Sequence, residues 1–119
     1  MPEIRFSHES LDCYSVSLTF LDLANELARR LPRAKGQVGD QIQRASESIC
    51  LRIAEGGGME NGSAEQRRHY LAARASALEC AAVLDVARAR GALTAERRME
   101  GRVLLDRIVR MLSKLAPRR

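Results

Sequence analysis

The sequence has few aromatic residues and no long apolar run, and these absences exclude several classes of protein. Only 3% of its 119 residues are aromatic and none is Trp, so the core must be built from aliphatic side chains and alanine. This composition favours closely packed helices over sheets. No apolar run is long enough to span a membrane, and MPEIRFSHES at the N-terminus lacks a signal-peptide core. We therefore expect a cytoplasmic, all-α protein.

Cysteine and histidine are too sparse to indicate a disulfide framework or a metal site. Cys13, Cys50 and Cys80 are an odd number at wide spacing, which is typical of reduced thiols in the cytosol. Neither His8 nor His69 has a glutamate three residues before it, the spacing that di-iron bundles use. No sequence pattern indicates an activated nucleophile. We predict no metal, no cofactor and no catalytic residue, and hence no enzymatic activity.

Amphipathic patterns predict four helices in a single domain that covers residues 1–119. The expected helices span about residues 8–31, 37–55, 64–90 and 95–115, and a proline, a run of three glycines and a single glycine separate them. Four helices of similar length joined by short links suit an antiparallel up-down-up-down bundle.

The first predicted helix carries more apolar surface than one bundle requires. Its apolar arc exceeds half the circumference, whereas a helix in a monomeric bundle needs an arc of about 100° or somewhat more. The surplus predicts a homo-oligomer. The side chains expected at the subunit contact line one edge of this arc: Val16, Phe20, Leu23 and Leu27. Leu51 on the second helix is a further candidate, although a single exposed leucine is ordinary on any surface.

Three polar residues are predicted to have structural roles. Asp40 and Arg44 are four residues apart on the second helix, a spacing that allows a modest ion pair. Glu79 falls on the apolar side of the third helix in the helical projection. A carboxylate facing the core must be hydrogen-bonded, paired or protonated, so we expect Glu79 to contact Ser76 or an arginine of a neighbouring helix or subunit.

The net charge of +5 lies entirely in the last quarter of the chain. Residues 1–91 hold 12 basic and 12 acidic residues, whereas residues 92–119 hold 8 and 3. The basic residues on one face of the fourth helix or beyond its end are Arg102, Arg107, Arg110, Lys114, Arg118 and Arg119. Arginine binds phosphate through two parallel hydrogen bonds, so these residues are candidates for backbone contacts with RNA. The alternative is a merely solvated face, since no aromatic residues are interleaved for base stacking.

The segment between Leu31 and Gly91 contains a combination of short motifs typical of a known family. The motifs are VGDQIQRA at 38–45, Ser48-Ile49, Ile53-Ala54-Glu55-Gly56, and HYLAA at 69–73 followed by Ser76 and Glu79. In this combination the segment resembles the 23S rRNA intervening-sequence proteins, whose fold is shared by the accessory variability determinant of diversity-generating retroelements. The sequence departs from the family pattern at Cys50, Leu51, Arg52 and His69, where the family usually has Pro, a small polar residue, Asn and an aromatic residue.

The resemblance implies a homo-oligomeric four-helix bundle, and favours a ring of five subunits. Members of the retroelement branch bind a reverse transcriptase and RNA through basic surfaces, and no catalytic residues are known for the family. We therefore predict a non-enzymatic, oligomeric accessory protein that binds RNA or a nucleoprotein partner. The alternative is an oligomeric scaffold for protein partners that binds no nucleic acid.

Overall fold

The computed structural model describes residues 3–31 and 37–117, and this part of the chain contains helices and no strands. A short 3-10 helix (Ser7–Ser10) precedes four α-helices: α1 (Asp12–Arg30), α2 (Val38–Gly57), α3 (Ala64–Ala89) and α4 (Ala95–Leu115). None of the helices described is both long and apolar enough to cross a membrane. The prediction of an all-α, four-helix protein is confirmed.

The first helix begins later than the sequence pattern predicted. Instead of starting near His8, the chain forms the 3-10 turn and becomes extended at Leu11 (φ −84°, ψ 125°), so that α1 starts at Asp12. The carboxylate of Glu9 accepts a hydrogen bond from the backbone N–H of Phe6 at 3.0 Å, which stabilises the turn as a separate unit. The bounds of the other three helices lie within two residues of those expected.

The starts of α3 and α4 are fixed by side-chain caps. The hydroxyl of Ser63 accepts a hydrogen bond from the backbone N–H of Gln66, and that of Thr94 accepts one from Arg97. Each of these bonds satisfies an N–H group that has no partner within its helix. The preceding glycines, Gly62 and Gly91, have φ angles of +81° and +72°, which other residues rarely adopt. These local signals explain why the two helices begin where the sequence predicted.

The four helices surround one aliphatic core. Each helix packs against its neighbours in the chain, and α4 also packs against α1. The largest fully buried hydrophobic side chains are Phe20, Ile42, Ile49, Ile53, Leu84, Ile108 and Leu112. One aromatic ring among many aliphatic groups agrees with the composition, and burial of these groups provides the main driving force for folding.

Helices α2 and α3 approach each other closely where α2 ends. A Cβ atom at Gly56 would lie 2.6 Å from Cε1 of Tyr70, so the ring occupies space that only glycine leaves open. The buried side chain of Gln66 donates hydrogen bonds to the carbonyl of Gly56 and to Asn61, and accepts one from the N–H of Gly62. These contacts join the loop between the two helices to the start of α3.

Candidate polyanion-binding and assembly surfaces

The basic residues predicted on the fourth helix are exposed on the surface of α4. Arg102, Arg107, Arg110 and Lys114 project away from the face formed by the buried residues Leu105, Ile108 and Leu112. The remaining two predicted residues, Arg118 and Arg119, lie outside the residues that the structure describes. Four side chains of the predicted patch are therefore placed on one accessible surface.

Acidic neighbours compensate two of these four charges. Arg102 lies 3.6 Å from Asp85 of α3, which also pairs with Arg98 at 2.8 Å. Arg110 donates a hydrogen bond from Nε to Asp106 at 2.9 Å. Exposed pairs of this kind contribute only about 0–1 kcal/mol to stability, but they reduce the local positive potential.

Arg107 and Lys114 have no such partner among the residues that the structure describes. Within the described part of the chain, neither lies within 4.0 Å of a carboxylate. The positive charge of α4 is thus concentrated at Arg107 and Lys114, with Arg110 between them.

Two further arginines border this surface from α3. Arg67 and Arg74 lie on the edge of α3 that faces α4, and together with Leu71, Ser113 and Ala116 they line a cavity of about 290 Å³. The sequence alone does not assign them to the basic patch, because nothing local in it indicates which edge of α3 faces α4. Their seven-residue spacing, two helical turns, is the signal that they share one edge.

For four residues, the structure contradicts the prediction that they lie at a subunit interface. Val16, Phe20, Leu23 and Leu27 are all buried within the chain itself and form part of its core. The prediction underestimated burial because α1 packs against both α2 and α4, so that neighbours on two sides cover a wider arc. Leu51 remains a candidate, since 62% of its surface is exposed.

Exposed apolar side chains occur elsewhere, on α3 and α4. Leu71 and Leu78 are exposed on α3 next to α4, where they line cavities between the two helices, and Val86 is exposed farther along α3. On α4, Met99 and Val103 are each more than half exposed. Larger exposed apolar areas often indicate contact with another protein. Exposed apolar side chains are therefore spread over several helices, since Leu18 of α1 is also 40% exposed.

An apolar groove of about 880 Å³ lies between α1 and α4. It is lined by Thr19 and Leu23 of α1 and by Ala95, Glu96, Met99, Glu100, Val103 and Leu104 of α4. Leu23 forms the floor with little exposed surface, whereas Met99 and Val103 form accessible walls. The groove lies towards the N-terminal half of α4, and the basic residues lie towards its C-terminal half.

Of the three predicted structural polar residues, Asp40 and Arg44 form the expected contact and Glu79 does not. Arg44 lies 3.2 Å from Asp40, an ion pair between successive turns of α2. Glu79 is exposed, so the prediction that it faces the core is wrong. The buried stripe of α3 passes through Ala77 and Cys80, on the side of the helix away from Glu79. Glu79 therefore needs no compensating partner.

The departures from the family pattern at Arg52 and His69 contact each other. Nη1 of Arg52 lies 3.4 Å from Nδ1 of His69, and Glu55 lies 3.9 Å from the same nitrogen. At the neighbouring level of α2 and α3, the hydroxyls of Ser48 and Ser76 are hydrogen-bonded at 2.9 Å. The two unusual residues thus form a polar contact between the helices.

The three thiols lie in the interior and are suited to packing rather than to reaction. Burial raises the pKa of Cys13 from 9.0 to about 11 and that of Cys80 to about 12, and also raises the pKa of Cys50. A protonated, buried thiol is a poor nucleophile. Over residues 3–31 and 37–117, no group of three or more His, Cys, Asp or Glu side chains is arranged to hold a metal ion.

Comparison with known proteins identifies the family of the chain. The family model for the 23S rRNA-intervening sequence protein matches residues 9–114, which include α1, α2, α3 and all of α4 except its last residue. No curated protein matches the chain. The family match agrees with the resemblance based on the motifs of α2 and α3. The chain belongs to the 23S rRNA-intervening sequence protein family.

Proposed function

We propose that this chain is a non-enzymatic, oligomeric accessory protein of the cytoplasm, which binds RNA or a nucleoprotein partner through the C-terminal half of α4. The observation that carries the proposal is the cluster of exposed charges at Arg107, Arg110 and Lys114, of which only Arg110 has a carboxylate partner among the described residues. Uncompensated basic side chains on a convex surface attract the phosphate backbone without selecting a sequence.

The arrangement of the helices supports an antiparallel up-down-up-down bundle. Arg67, near the start of α3, donates a hydrogen bond to the carbonyl of Pro117, just beyond α4. Asp85, near the end of α3, pairs with Arg98 near the start of α4. In the proposed topology the basic half of α4 lies next to the first turns of α3, as the contact of Arg67 with Pro117 supports.

The test is binding of labelled single-stranded RNA, measured by fluorescence anisotropy at several salt concentrations. The variant Arg107→Glu/Arg110→Glu/Lys114→Glu reverses three charges on α4. We expect it to weaken binding by at least about 10-fold and to make the dependence of log K on log salt less steep, because fewer counterions are released. Arg102 is left unchanged because Asp85 already compensates it.

A charge-matched control distinguishes a local site from the effect of net charge. Arg29→Glu/Arg30→Glu/Arg44→Glu makes the same change in charge at exposed positions of α1 and α2. We expect it to retain most of the affinity. Equal loss in both variants, or no RNA binding by the unaltered protein at low salt, would contradict the proposal.

The second candidate function is an oligomeric scaffold that binds protein partners only. The groove of about 880 Å³ between α1 and α4 and the exposed Leu51 favour it, because both offer apolar surface for another chain. The family resemblance favours five subunits. Light scattering coupled to size-exclusion chromatography measures the mass directly. A stable oligomer that binds no RNA at low salt would favour the scaffold, and a monomer at micromolar concentration would contradict both candidates.

A further inference from the structure

A cavity between α3 and α4 is lined by two arginines and, among the described residues, by no acidic residue. Arg67, Leu71 and Arg74 of α3 form one wall, and Ser113 of α4 forms the other together with Ala116, just beyond the end of that helix. The spacings of four and three residues on α3 place its three residues on one helix edge. The cavity measures about 290 Å³ and opens at the end of the molecule where α4 terminates.

The charges of this cavity lack carboxylate partners. In the residues that the structure describes, neither Arg67 nor Arg74 lies within 4.0 Å of a carboxylate, whereas Asp85 pairs with both Arg98 and Arg102 farther along the same helix pair. Arg67 is held in place by its hydrogen bond to the carbonyl of Pro117. Within the described residues, two arginines therefore line one small cavity to which no carboxylate contributes.

Arg74 also has an unused hydrogen-bond donor. Its Nε atom is buried, and it has no hydrogen-bond partner within the described structure. Leaving such a donor unsatisfied destabilises the folded chain, and more so when the group is charged. Because Nε is closed to solvent, an acceptor in the cavity bonds to it once the Arg74 side chain rotates, and the bond then removes this destabilisation. Because Nε and one terminal nitrogen of a guanidinium form a planar fork, an oxyanion with two oxygens is the best complement.

We propose that this cavity binds a single phosphate group, with Arg67 and Arg74 as its two cationic contacts. The phosphate belongs either to an RNA backbone or to a free phosphate ion. Binding of an RNA phosphate rests on the function proposed above, whereas binding of a free phosphate ion does not. The hydroxyl of Ser113 donates to the carbonyl of Val109 at 2.7 Å, so it contributes a small polar wall while the arginines supply the donors.

The experiment compares the full-length chain with Arg67→Gln/Arg74→Gln. These substitutions remove both charges but retain long polar side chains. Arg68→Gln is the matched control, because Arg68 is an exposed arginine on the same turn of α3 and does not line the cavity. Arg74→Lys is a milder second variant that keeps the charge but removes the fork. Circular dichroism establishes that each variant is folded.

The first arm uses inorganic phosphate as the probe. Its binding is measured by isothermal titration calorimetry at constant ionic strength. We expect the double variant to bind phosphate at least about 10-fold more weakly than the unaltered chain, because two charge-assisted contacts are lost. Arg68→Gln should bind within about twofold of it, and Arg74→Lys should be intermediate. Unchanged phosphate binding in the folded double variant overturns the proposal, and so does equal loss in Arg68→Gln. If the double variant does not fold, Arg74→Lys decides: affinity equal to that of the unaltered chain overturns the proposal.

The second arm uses single-stranded RNA and separates the two sources of phosphate. Loss of both phosphate and RNA affinity in the double variant supports a backbone phosphate. Loss of phosphate affinity with unchanged RNA affinity supports a free phosphate ion. If the α4 triple variant loses RNA while the cavity variants retain both ligands, the proposed function stands and this inference fails. If the cavity variants alter only the oligomer mass, the arginines serve subunit contacts and the inference is overturned.

Discussion

Helix α3 packs against α2 on one side and against α4 on the other, and the two sides are built differently. Facing α2, the inner contacts are close and uncharged: the ring of Tyr70 fills the space above Gly56, and Ser76 is hydrogen-bonded to Ser48. The contact of Arg52 with His69 lies at the exposed edge of this side. Facing α4, the side chains are longer and charged, as in the pair of Asp85 with Arg98. The first side fixes the distance between two helices, and the second leaves cavities and charge at the surface. Stability should therefore be most sensitive on the α2 side, and ligand binding on the α4 side.

The largest expected effect is a loss of stability in Gly56→Ala. The added Cβ would lie 2.6 and 2.8 Å from Cε1 and Cδ1 of Tyr70 and 3.2 Å from Cβ of His69, so rigid groups on α3 must move. We expect the free energy of unfolding to fall by about 2–3 kcal/mol, measured by urea denaturation.

The matched control is Gly101→Ala on α4. There the new Cβ would lie 2.6 Å from Cδ1 of Leu84, the end of a flexible side chain that can rotate away. Replacing a glycine within a helix by alanine also gains about 1 kcal/mol of helix propensity. We expect a net change of less than about 1 kcal/mol. Equal destabilisation by both substitutions would contradict the contrast between the two sides of α3.

Gln66→Ala should show the next largest effect, because it removes the hydrogen bonds that join the loop between α2 and α3 to the start of α3. The side chain is buried and bonds to Gly56, Asn61 and Gly62. We expect a loss of about 2 kcal/mol, since the buried carbonyl of Gly56 loses its contact with this amide. Gln41→Ala, at an exposed position of α2, should stay within about 0.5 kcal/mol. A similar small change in Gln66→Ala would mean that the loop is held by other contacts.

The raised pKa values of the buried thiols Cys13 and Cys80 lead us to expect a loss of stability at alkaline pH. The pKa values of about 11 for Cys13 and about 12 for Cys80 exceed the value of 9.0 for an exposed thiol. Above pH 9 the unfolded chain loses these protons while the folded chain keeps them, so ionisation favours unfolding and stability falls as pH rises from 9 towards 11 and 12. We expect about 1–2 kcal/mol of this loss between pH 9 and 10.

Urea denaturation at pH 8, 9 and 10 measures this dependence. Because other groups also titrate there, the comparison is with Cys13→Ala/Cys80→Ala, whose stability should fall less steeply over the same range. Parallel curves for the two proteins would show that the thiols do not cause the loss. Slow alkylation of the folded chain by iodoacetamide is an independent check, since the reagent reacts with thiolates.

The sequence predicted the fold well where the signals are local. Ser63 and Thr94 cap α3 and α4 through residues three positions away, and both helices begin where expected. The predicted start of α1 was wrong because Glu9 stabilises a separate turn before the helix. Helical periodicity also placed Glu79 on the wrong side of α3, an alanine-rich helix whose many small apolar residues leave the position of its buried stripe weakly defined.

The candidate site was harder to predict because it depends on contacts between helices. The sequence identifies Arg102 and Arg107 equally as basic residues of one helix. Only the fold reveals that Asp85 of α3 compensates the first of them. In the same way, Arg67 and Arg74 become part of a site only when α4 places Ser113 opposite them. Charge counts along the chain cannot determine which arginines remain available to a ligand.

The smallest expected effect on stability comes from Asp85→Asn, which changes the α4 side without changing its shape. The substitution removes the partner of Arg98 and Arg102, with distances of 2.8 and 3.6 Å. Because these groups are partly exposed, the free energy of unfolding should fall by less than about 1 kcal/mol. The released charges should nevertheless strengthen RNA binding about two- to fivefold at low salt, and less at high salt.

Glu79→Gln is the control for this last substitution. It removes one negative charge from an exposed position on α3, away from the edge that faces α4. If RNA binds along the α4 side, Asp85→Asn should strengthen binding more than Glu79→Gln does, although both raise the net charge by one. Equal strengthening would mean that RNA responds to net charge alone. In that case the uncompensated arginines beside α4 would have no special role, because a local site must respond more strongly to a nearby charge than to a distant one.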